Sequence, residues 1–311
     1  MSANVLDVAG DAHVLRGELR LNEALAEYTS WHVGGPADRV YFPQDLEDLL
    51  SFLRTLPADE PLFWLGLGSN LLVRDGGVRG TVICTRGRLK AMHRIDESRI
   101  HVQAGVPCAH VARYCAEQRL TGAEFLAGIP GTMGGALAMN AGAFGGETWR
   151  LVERVLTTDR RGILRNRPAE DFAVGYRSVH GPEGEWFLAA ELKLLPGDPN
   201  AGRERIRALL ARRAATQPTN LPSCGSVFRN PPGDHAARLI EACGLKGHRV
   251  GGACVSEKHA NFIVNTGGAT ARDIETLIHY VRGRVELEHS VRLEAEVRIV
   301  GEAEVCVKGG R

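Results

Sequence analysis

The stretch GIPGTMGGALAMNAGAFGG, Gly128 to Gly146, carries no charged side chain, and seven of its nineteen residues are glycine. It is neither a plain amphipathic helix nor a plain strand, and it reads as a long irregular run built from Pro/Gly turns, a Gly-Gly pair and Asn-Ala-Gly. Such loops inside compact domains are seldom mere connectors. With few side chains in the way, backbone N–H groups can pack against a flat, extended ligand and supply the polar contacts a pyrophosphate needs. A second glycine segment, LGLGSNLLVRDGG (Leu65 to Gly77), follows a short apolar strand. There Gly66 and Gly68 permit close backbone approach and Ser69 and Asn70 add short donors, although alone the segment is equally a tight turn. It is not the G-x-G-x-x-G fingerprint, because the last glycine is replaced by Leu71. Two such loops in neighbouring small units point to one large ligand, and a dinucleotide fits.

Outward from these loops the chain alternates short apolar strands with amphipathic helices. ADRVYF (37–42), PLFWLGLG and GTVICT read as strands around the helix QDLEDLLSFLRTL, whose Leu46, Leu49, Leu50, Leu53 and Leu56 share helical spacing. RIHVQAG, the helix CAHVARYCAEQRL, LVERVLTTD and EWFLAAELKLL form a second unit, and PGDPN (196–200) reads as a linker. A third unit runs through the basic helix RERIRALLARRAA, then HAARLIEACG, NFIVN and ARDIETLIHYVRGRVELEH, to a closing strand SVRLEAEVRIVG. In that strand Val291, Leu293, Ala295, Val297 and Ile299 share one face and Arg292, Glu294, Glu296 and Arg298 the other, so periodicity does not separate the two carboxylates.

The bulk numbers bound the function classes. At 311 residues the chain is long enough for two or three compact units. Apolar residues make up 44% and charged residues 24%, with no apolar run long enough for a bilayer crossing, so no membrane insertion is expected. A net charge of +1 with no basic block leaves no footprint for nucleic acid, and small molecules are the expected partners, with no obligate protein partner inferred. Of 38 basic residues only five are lysine, from which no function is drawn. The seven cysteines, Cys84, Cys108, Cys115, Cys224, Cys243, Cys254 and Cys306, are scattered without a C-x-x-C pair, against a disulfide framework or a metal site. The N-terminus has neither the basic start nor the apolar core of a signal peptide, so a cytoplasmic location is expected.

LPSCGSVFRNP (221–231) raises the question of chemistry. Read alone, Ser226 is a hydrolase nucleophile, a phosphate ligand, a proton donor or a turn residue. The hydrolase reading fails on context, because C-G-S-V-F is not the G-x-S-x-G elbow.

In order along the chain, SWHVGGPAD, GLGSNLLV, AGVP, GIPGTMGGALAMNAGAFG, GYRS, GSVFRNP, HANFIVN and LEAEVRIVG resemble the UDP-N-acetylenolpyruvoylglucosamine reductase (MurB) family of peptidoglycan precursor synthesis, from about residue 20 to 302. The resemblance implies an α+β and α/β architecture. A two-subdomain FAD-binding fold of the vanillyl-alcohol oxidase and p-cresol methylhydroxylase type is followed by a C-terminal α+β substrate domain. The implied boundaries are an arm at 1–20, subdomains at 21–97 and 98–197, the substrate domain at 198–302 and a tail at 303–311. No tyrosine lies between Ser178 and Asn200, which matches the shorter form of the family without an extra tyrosine-bearing lid loop.

The implied reaction is NADPH-dependent reduction of non-covalent FAD, followed by hydride transfer from flavin N5 to C3 of UDP-N-acetylglucosamine enolpyruvate and protonation at C2. By resemblance, FAD is held by Gly34, Gly35, Gly66, Leu67, Gly68, Ser69, Asn70, Leu71, Ala104, Gly105, Gly128, Ile129, Pro130, Gly131, Gly134, Gly135, Asn140 and Gly142. Arg177 matches the group that contacts the enolpyruvyl carboxylate, Ser226 the proton donor, and Glu296 the carboxylate near C2. Tyr176, Arg229, Asn230 and Asn261 match substrate-binding positions. His32 and Cys108 need no covalent link to flavin. The competing expectations are another FAD-dependent oxidase or dehydrogenase of the same fold, and a non-catalytic nucleotide-sugar binding protein.

Overall fold

The computed structural model describes residues 15–304; Cys306, most of the expected N-terminal arm and most of the C-terminal tail lie outside the described residues. Contacts divide the chain into two units. One comprises Asp38–Gly66 and Gly80–Ile206 with the described residues up to Glu23; the other comprises Ala24–Ala37, Leu67–Arg79 and the chain from Arg207 onward.

In the first unit the leucine spacing of QDLEDLLSFLRTL produces helix α1 (Leu46–Thr55), capped by Asp45, whose side chain accepts the Asp48 N–H. Its buried face, Leu49, Leu50, Phe52 and Leu53, packs with Tyr41, Ile83, Leu89 and Leu188. A four-stranded sheet runs in the order Glu18–Ala24, Pro36–Phe42, Val78–Cys84, Leu62–Leu65, and the last two strands pair in parallel. A five-stranded antiparallel sheet runs in the order Leu164–Pro168, Val152–Asp159, Glu185–Lys193, Arg99–Gln103, Met92–Arg94. Helix α2 (Cys108–Glu117) follows the end of Arg99–Gln103, as its sequence predicts.

Two expectations change. The glycine stretch contains a short helix, α3 (Met133–Met139): the Thr132 side chain caps its start by accepting the Gly135 N–H, and Asn140 ends it in the left-handed region at φ +45°. These caps and the run Ala136–Met139 overcome the cost of the Gly-Gly pair. The PGDPN linker shrinks, because Leu195–Pro196 pairs with Leu120–Thr121 and helix α4 (Pro199–Thr216) starts on Pro199, whose missing N–H suits a first helical turn.

The second unit is built on α5 (Ala236–Ala242) and α6 (Ala271–His289), a three-stranded sheet Arg249–Val250, Ala253–Val255, Ile263–Asn265, and a parallel pair of Leu71–Val73 with Arg298–Val300. Its core holds Trp31, Leu72, Val227, Phe228, Leu277 and Val281, and the Trp31 Nε1–H donates to the Ile263 carbonyl at 2.8 Å. The RDGG turn ties down α6. The two carboxylate oxygens of Asp75 accept the Ala271 and Arg272 N–H groups, each at 2.9 Å, and the Arg74 guanidinium forks onto Glu275 at 2.8 and 3.0 Å. The expected closing strand pairs as a strand only over Arg298–Val300; across residues 291–297 the expected alternation of burial breaks at Glu296, which is half-buried like Ala295, and a single bridge joins Phe228 to Ala295.

Asp48 is the polar keystone of the first unit. One of its oxygens accepts the Arg16 and Gly17 N–H groups at 2.6 and 3.2 Å, and the other accepts the Tyr41 hydroxyl at 2.7 Å and the Gln44 N–H at 2.8 Å. Burial alone would raise this carboxyl, but the four donors hold it below its ordinary value, while burial and Asp48 keep the Tyr41 hydroxyl protonated. In Asp48→Asn, whichever way the amide turns, two donors face an NH2 group. The expected loss is about 2–4 kcal/mol, which for a protein of this size corresponds to a Tm drop of roughly 3–6 °C in thermal unfolding; a drop below about 1 °C would contradict the arrangement.

Candidate active site

In the first unit the AGVP and GIPGTMGG motifs are sewn together by main-chain hydrogen bonds. Gly134 N–H donates to Ala104 O at 2.8 Å, Met133 N–H to Val106 O at 2.9 Å, and Cys108 N–H to Gly131 O at 2.9 Å. Glycine is required at several of these seams: a Cβ on Gly134 would lie 2.9 Å from the Ala104 Cβ, and one on Gly66 would lie 2.5 Å from the Thr132 Oγ1. Gly135 differs, since it is exposed and a Cβ there would meet only the Thr132 Oγ1, at 3.8 Å. Ile129 is buried and Pro130 exposed, so the surface of this loop is backbone and small side chains without charge. A surface without charge or bulky side chains lets a flat, dinucleotide-like cofactor lie close against the main chain. Cys108 is buried beneath the loop, and burial pushes its thiol up to about 12, consistent with a packing role.

Arg177 occupies the second position of the two-residue turn between Ala173–Gly175 and Ser178–His180, at φ +53°. Its Nη2 donates to the Gly142 carbonyl at 2.9 Å, and its guanidinium lies 5.6 Å from the ring centre of Tyr176, which is exposed. The buried Asn140 holds the same turn: its Oδ1 accepts the Trp149 N–H and its Nδ2 donates to the Gly175 carbonyl, both at 3.1 Å. The Asn140 amide is thus used within the protein. Only four residues, 181–184, connect Ser178–His180 to Glu185–Lys193, which leaves no lid loop.

In the second unit Gly34 takes φ +128°, and a Cβ on Gly35 would lie 2.1 Å from the Asp75 carbonyl. Gly68 is left-handed at φ +59° and accepts the Ser30 N–H at 3.2 Å. Leu67, Ser69 and Leu71 are half-buried, and the Asn70 Nδ2 donates to the Glu296 carbonyl at 3.1 Å while its own carbonyl accepts the Arg298 N–H at 3.0 Å.

That seam continues into the serine motif. Glu296 N–H donates to Val227 O at 2.8 Å, and Arg229 N–H donates to Glu294 O at 2.9 Å. Ser226 is half-buried immediately before Val227. The two carboxylates left equivalent by periodicity are no longer so. Glu294 is exposed and lies 3.9 Å from Arg229, whereas Glu296 is half-buried and its charge adds to the upward push that burial gives the Cys224 thiol. Asn230 is exposed and its Oδ1 accepts the Ala236 N–H at 3.1 Å; Asn261 is buried, with its amide bonded to the Phe228 main chain.

Residues 37–166 match the FAD binding domain family, and residues 217–300 match the C-terminal domain of UDP-N-acetylenolpyruvoylglucosamine reductase. The UDP-N-acetylenolpyruvoylglucosamine reductase of Methylococcus capsulatus is 69% identical over 93% of this chain and 95% of its own length. The chain belongs to the UDP-N-acetylenolpyruvoylglucosamine reductase family. The reductase of Alkalilimnicola ehrlichii is 64% identical over 96% of this chain and 99% of its own. The crystal structure of the reductase (MurB) from Thermus caldophilus superposes with a TM-score of 0.78 at 36% identity, covering 92% of this chain and 99% of that one. The family assignment agrees with the sequence motifs in order and extent, and the short hairpin connection agrees with the shorter form of the family.

Sequence reasoning passed over Thr132, Asp75 and Asn265. The last donates to Trp31 O at 2.9 Å and accepts the Gly267 N–H at 2.9 Å. Their signals were present as a Thr before a helix, an Asp-Gly-Gly turn and an Asn before Thr-Gly-Gly, but each is as common in ordinary turns. Elsewhere, ligand atoms of Cys243, Glu288 and His289 lie within 4.8 Å of one another. Glu288 is paired with Arg284, and burial and the Glu288 hydrogen bond push the Cys243 thiol up to about 11, an arrangement for hydrogen bonding at the end of α6.

The seat of Gly66 on Thr132 is testable by a double-mutant cycle. Gly66→Ala drives a methyl into the capping hydroxyl and Thr132→Ala removes that hydroxyl, so the double variant should lose less Tm than the two single losses added, by the equivalent of roughly 1 kcal/mol or more. Strict additivity would contradict the contact.

Proposed function

We propose that the chain reduces UDP-N-acetylglucosamine enolpyruvate to UDP-N-acetylmuramate with NADPH as reductant, in the cytoplasm, as a step of peptidoglycan precursor synthesis. The observation that carries this reading is the 2.8 Å hydrogen bond from Glu296 N–H to Val227 O, which joins a hydroxyl-bearing and a carboxylate-bearing motif about seventy residues apart in one seam. Among the described residues no helix is long and apolar enough to cross a membrane. A three-part division of the chain belongs to the same proposal. Its first boundary is best drawn before Met92, because Met92–Arg94 is an edge strand of the five-stranded sheet.

Gly128–Gly142 with Ala104 and Gly105, and Gly34, Gly35 and Gly66–Leu71, are the residues that would hold FAD. When bound, FAD supplies the hydride accepted at C3 of the enolpyruvyl group. Arg177 binds the substrate carboxylate and favours the negative charge that develops beside it, work suited to a permanently charged fork. Its seat on Gly142 and the clamp by Asn140 support that role by fixing the guanidinium before substrate arrives. The Ser226 hydroxyl holds the proton that goes to C2. A hydroxyl is a weak acid, so this transfer works only to a strongly basic, carbanion-like carbon within hydrogen-bond reach. Glu296 assists polarisation and protonation at the same carbon, and Arg229, Asn230 and Tyr176 bind the nucleotide-sugar.

Ser226→Ala separates the two half-reactions in rapid-mixing measurements. Flavin reduction by NADPH should stay within about twofold of wild type, whereas reoxidation by the enolpyruvyl substrate should slow by roughly 10²–10⁴-fold, the usual contribution of a positioned acid. Equal slowing of both halves would remove Ser226 from the proton-donor role. A purified chain without flavin absorbance that cannot be reconstituted with FAD would remove the whole reading.

A further inference from the structure

We propose that Asn261 is a positioning residue for protonation, acting through the Val227–Phe228 main chain rather than by touching the substrate. The inference rests on the reading of Ser226 as proton donor.

Asn261 is 3% exposed and Phe228 2%. The Phe228 N–H donates to the Asn261 Oδ1 at 3.0 Å, and the Asn261 Nδ2 donates to the Phe228 carbonyl at 2.8 Å. The side-chain amide therefore exchanges both hydrogen bonds with one residue, as a neighbouring strand does in an antiparallel ladder. A third bond comes from the main chain, since Val227 N–H donates to the Asn261 carbonyl at 2.9 Å. On its other side the same short segment pairs with residues 294–296, through Val227 O to Glu296 N–H and Arg229 N–H to Glu294 O.

Val227 is thus gripped at its N–H by Asn261 and at its C=O by Glu296. Ser226 is one peptide before it. The Cα of the proposed donor and the main chain of Glu296 are fixed relative to each other by a frame in which Asn261 supplies three of the bonds. An asparagine is required because its amide presents a donor and an acceptor at peptide-like spacing on a short stem. Asparagine so used has no exposed face for a ligand. Its removal leaves a buried N–H and a buried C=O without partners, and the segment relaxes to satisfy them.

The test is a cycle of Asn261→Ala, Ser226→Ala and the double variant in the full-length, FAD-loaded protein, with NADPH and UDP-N-acetylglucosamine enolpyruvate as reactants. Substrate affinity is read from perturbation of the flavin spectrum in the absence of reductant. A displaced donor predicts that Asn261→Ala slows flavin reoxidation by about 10–100-fold and raises its solvent isotope effect. NADPH reduction and substrate Kd should stay within about twofold. In the Ser226→Ala background the same change should add less than about threefold, because the residue it positions is gone.

A rise in Kd with an unchanged rate, a fully additive loss in the double variant, or no effect of Asn261→Ala would each overturn the proposal. If Ser226→Ala itself leaves reoxidation unchanged, the proton-donor reading fails first, which is a separate outcome. Should Asn261→Ala not fold, Asn261→Asp replaces it throughout. It keeps the acceptor for Phe228 N–H and loses the donor, and the same rate, isotope and Kd pattern is required of it.

Discussion

The constraint on which the rest depends is that main chain buried without water must find partners for every N–H and C=O. This protein lowers main chain into tight places at the glycine loops and at Val227–Phe228, and it also has to hold the exposed turn that carries Arg177. Asparagine side chains meet the obligation there. Asn140 joins Trp149 to Gly175, Asn261 closes on Phe228, Asn70 reaches the Glu296 carbonyl, and Asn265 bridges Trp31 and Gly267. Each acts as a detached peptide unit where a second strand would not fit. The geometry of Arg177 and of the Ser226–Glu296 seam follows from these contacts within their respective units.

The same fact explains what was legible in the sequence and what was not. Helices α1, α2, α5 and α6 were readable because apolar spacing reports a buried face directly, whereas the mostly exposed α4 was readable from its run of helix-forming Arg, Ala and Leu. Helix α3 was not, because two glycines mask it and the deciding signals are the cap at Thr132 and the left-handed Asn140. At 291–297 alternation forecast the buried Leu293 and Val297 but neither the half-buried Glu296 nor the pairing: the segment touches the chain at 227–229 through isolated bonds, so it is extended without being a full strand. Asn70, Asn140, Asn230 and Asn261 stood out in the sequence as ligand contacts, and the side-chain amides of all four bond main chain. A motif records that a polar residue is wanted at a position, and it does not record whether the partner is a cofactor or a peptide group.

Position along a strand also failed to distinguish Glu294 from Glu296, and the structure supplies the reason. The alternation argument treats a polar face as uniformly solvated. Here the Val227 carbonyl accepts from the Glu296 N–H and the Glu294 carbonyl accepts from the Arg229 N–H, so a second segment lies along the chain and the two residues are no longer equivalent. The carboxylate of Glu294 is left exposed with an arginine at 3.9 Å, a screened pair worth little. That of Glu296 is half-buried beside a thiol held protonated, where a charge is felt more strongly.

Arg177 shows how a small backbone cost is tied to function. A non-glycine residue in the left-handed region costs roughly 1–2 kcal/mol, and glycine or asparagine at the turn would avoid most of it. The cost is tolerated because Asn140 and Gly142 fix the turn from both ends, and Gly142 must itself lack a side chain, since a Cβ there would lie 2.5 Å from the Gly146 carbonyl and 3.4 Å from the arginine Nη1. A glycine in place of Arg177 would relieve the strain and discard the fork; an arginine in a relaxed turn would keep the fork and lose its aim. The strained turn, the asparagine and the bare glycine therefore have to be present together, which is why an arginine unremarkable in the sequence acquires a defined seat only when the chain folds.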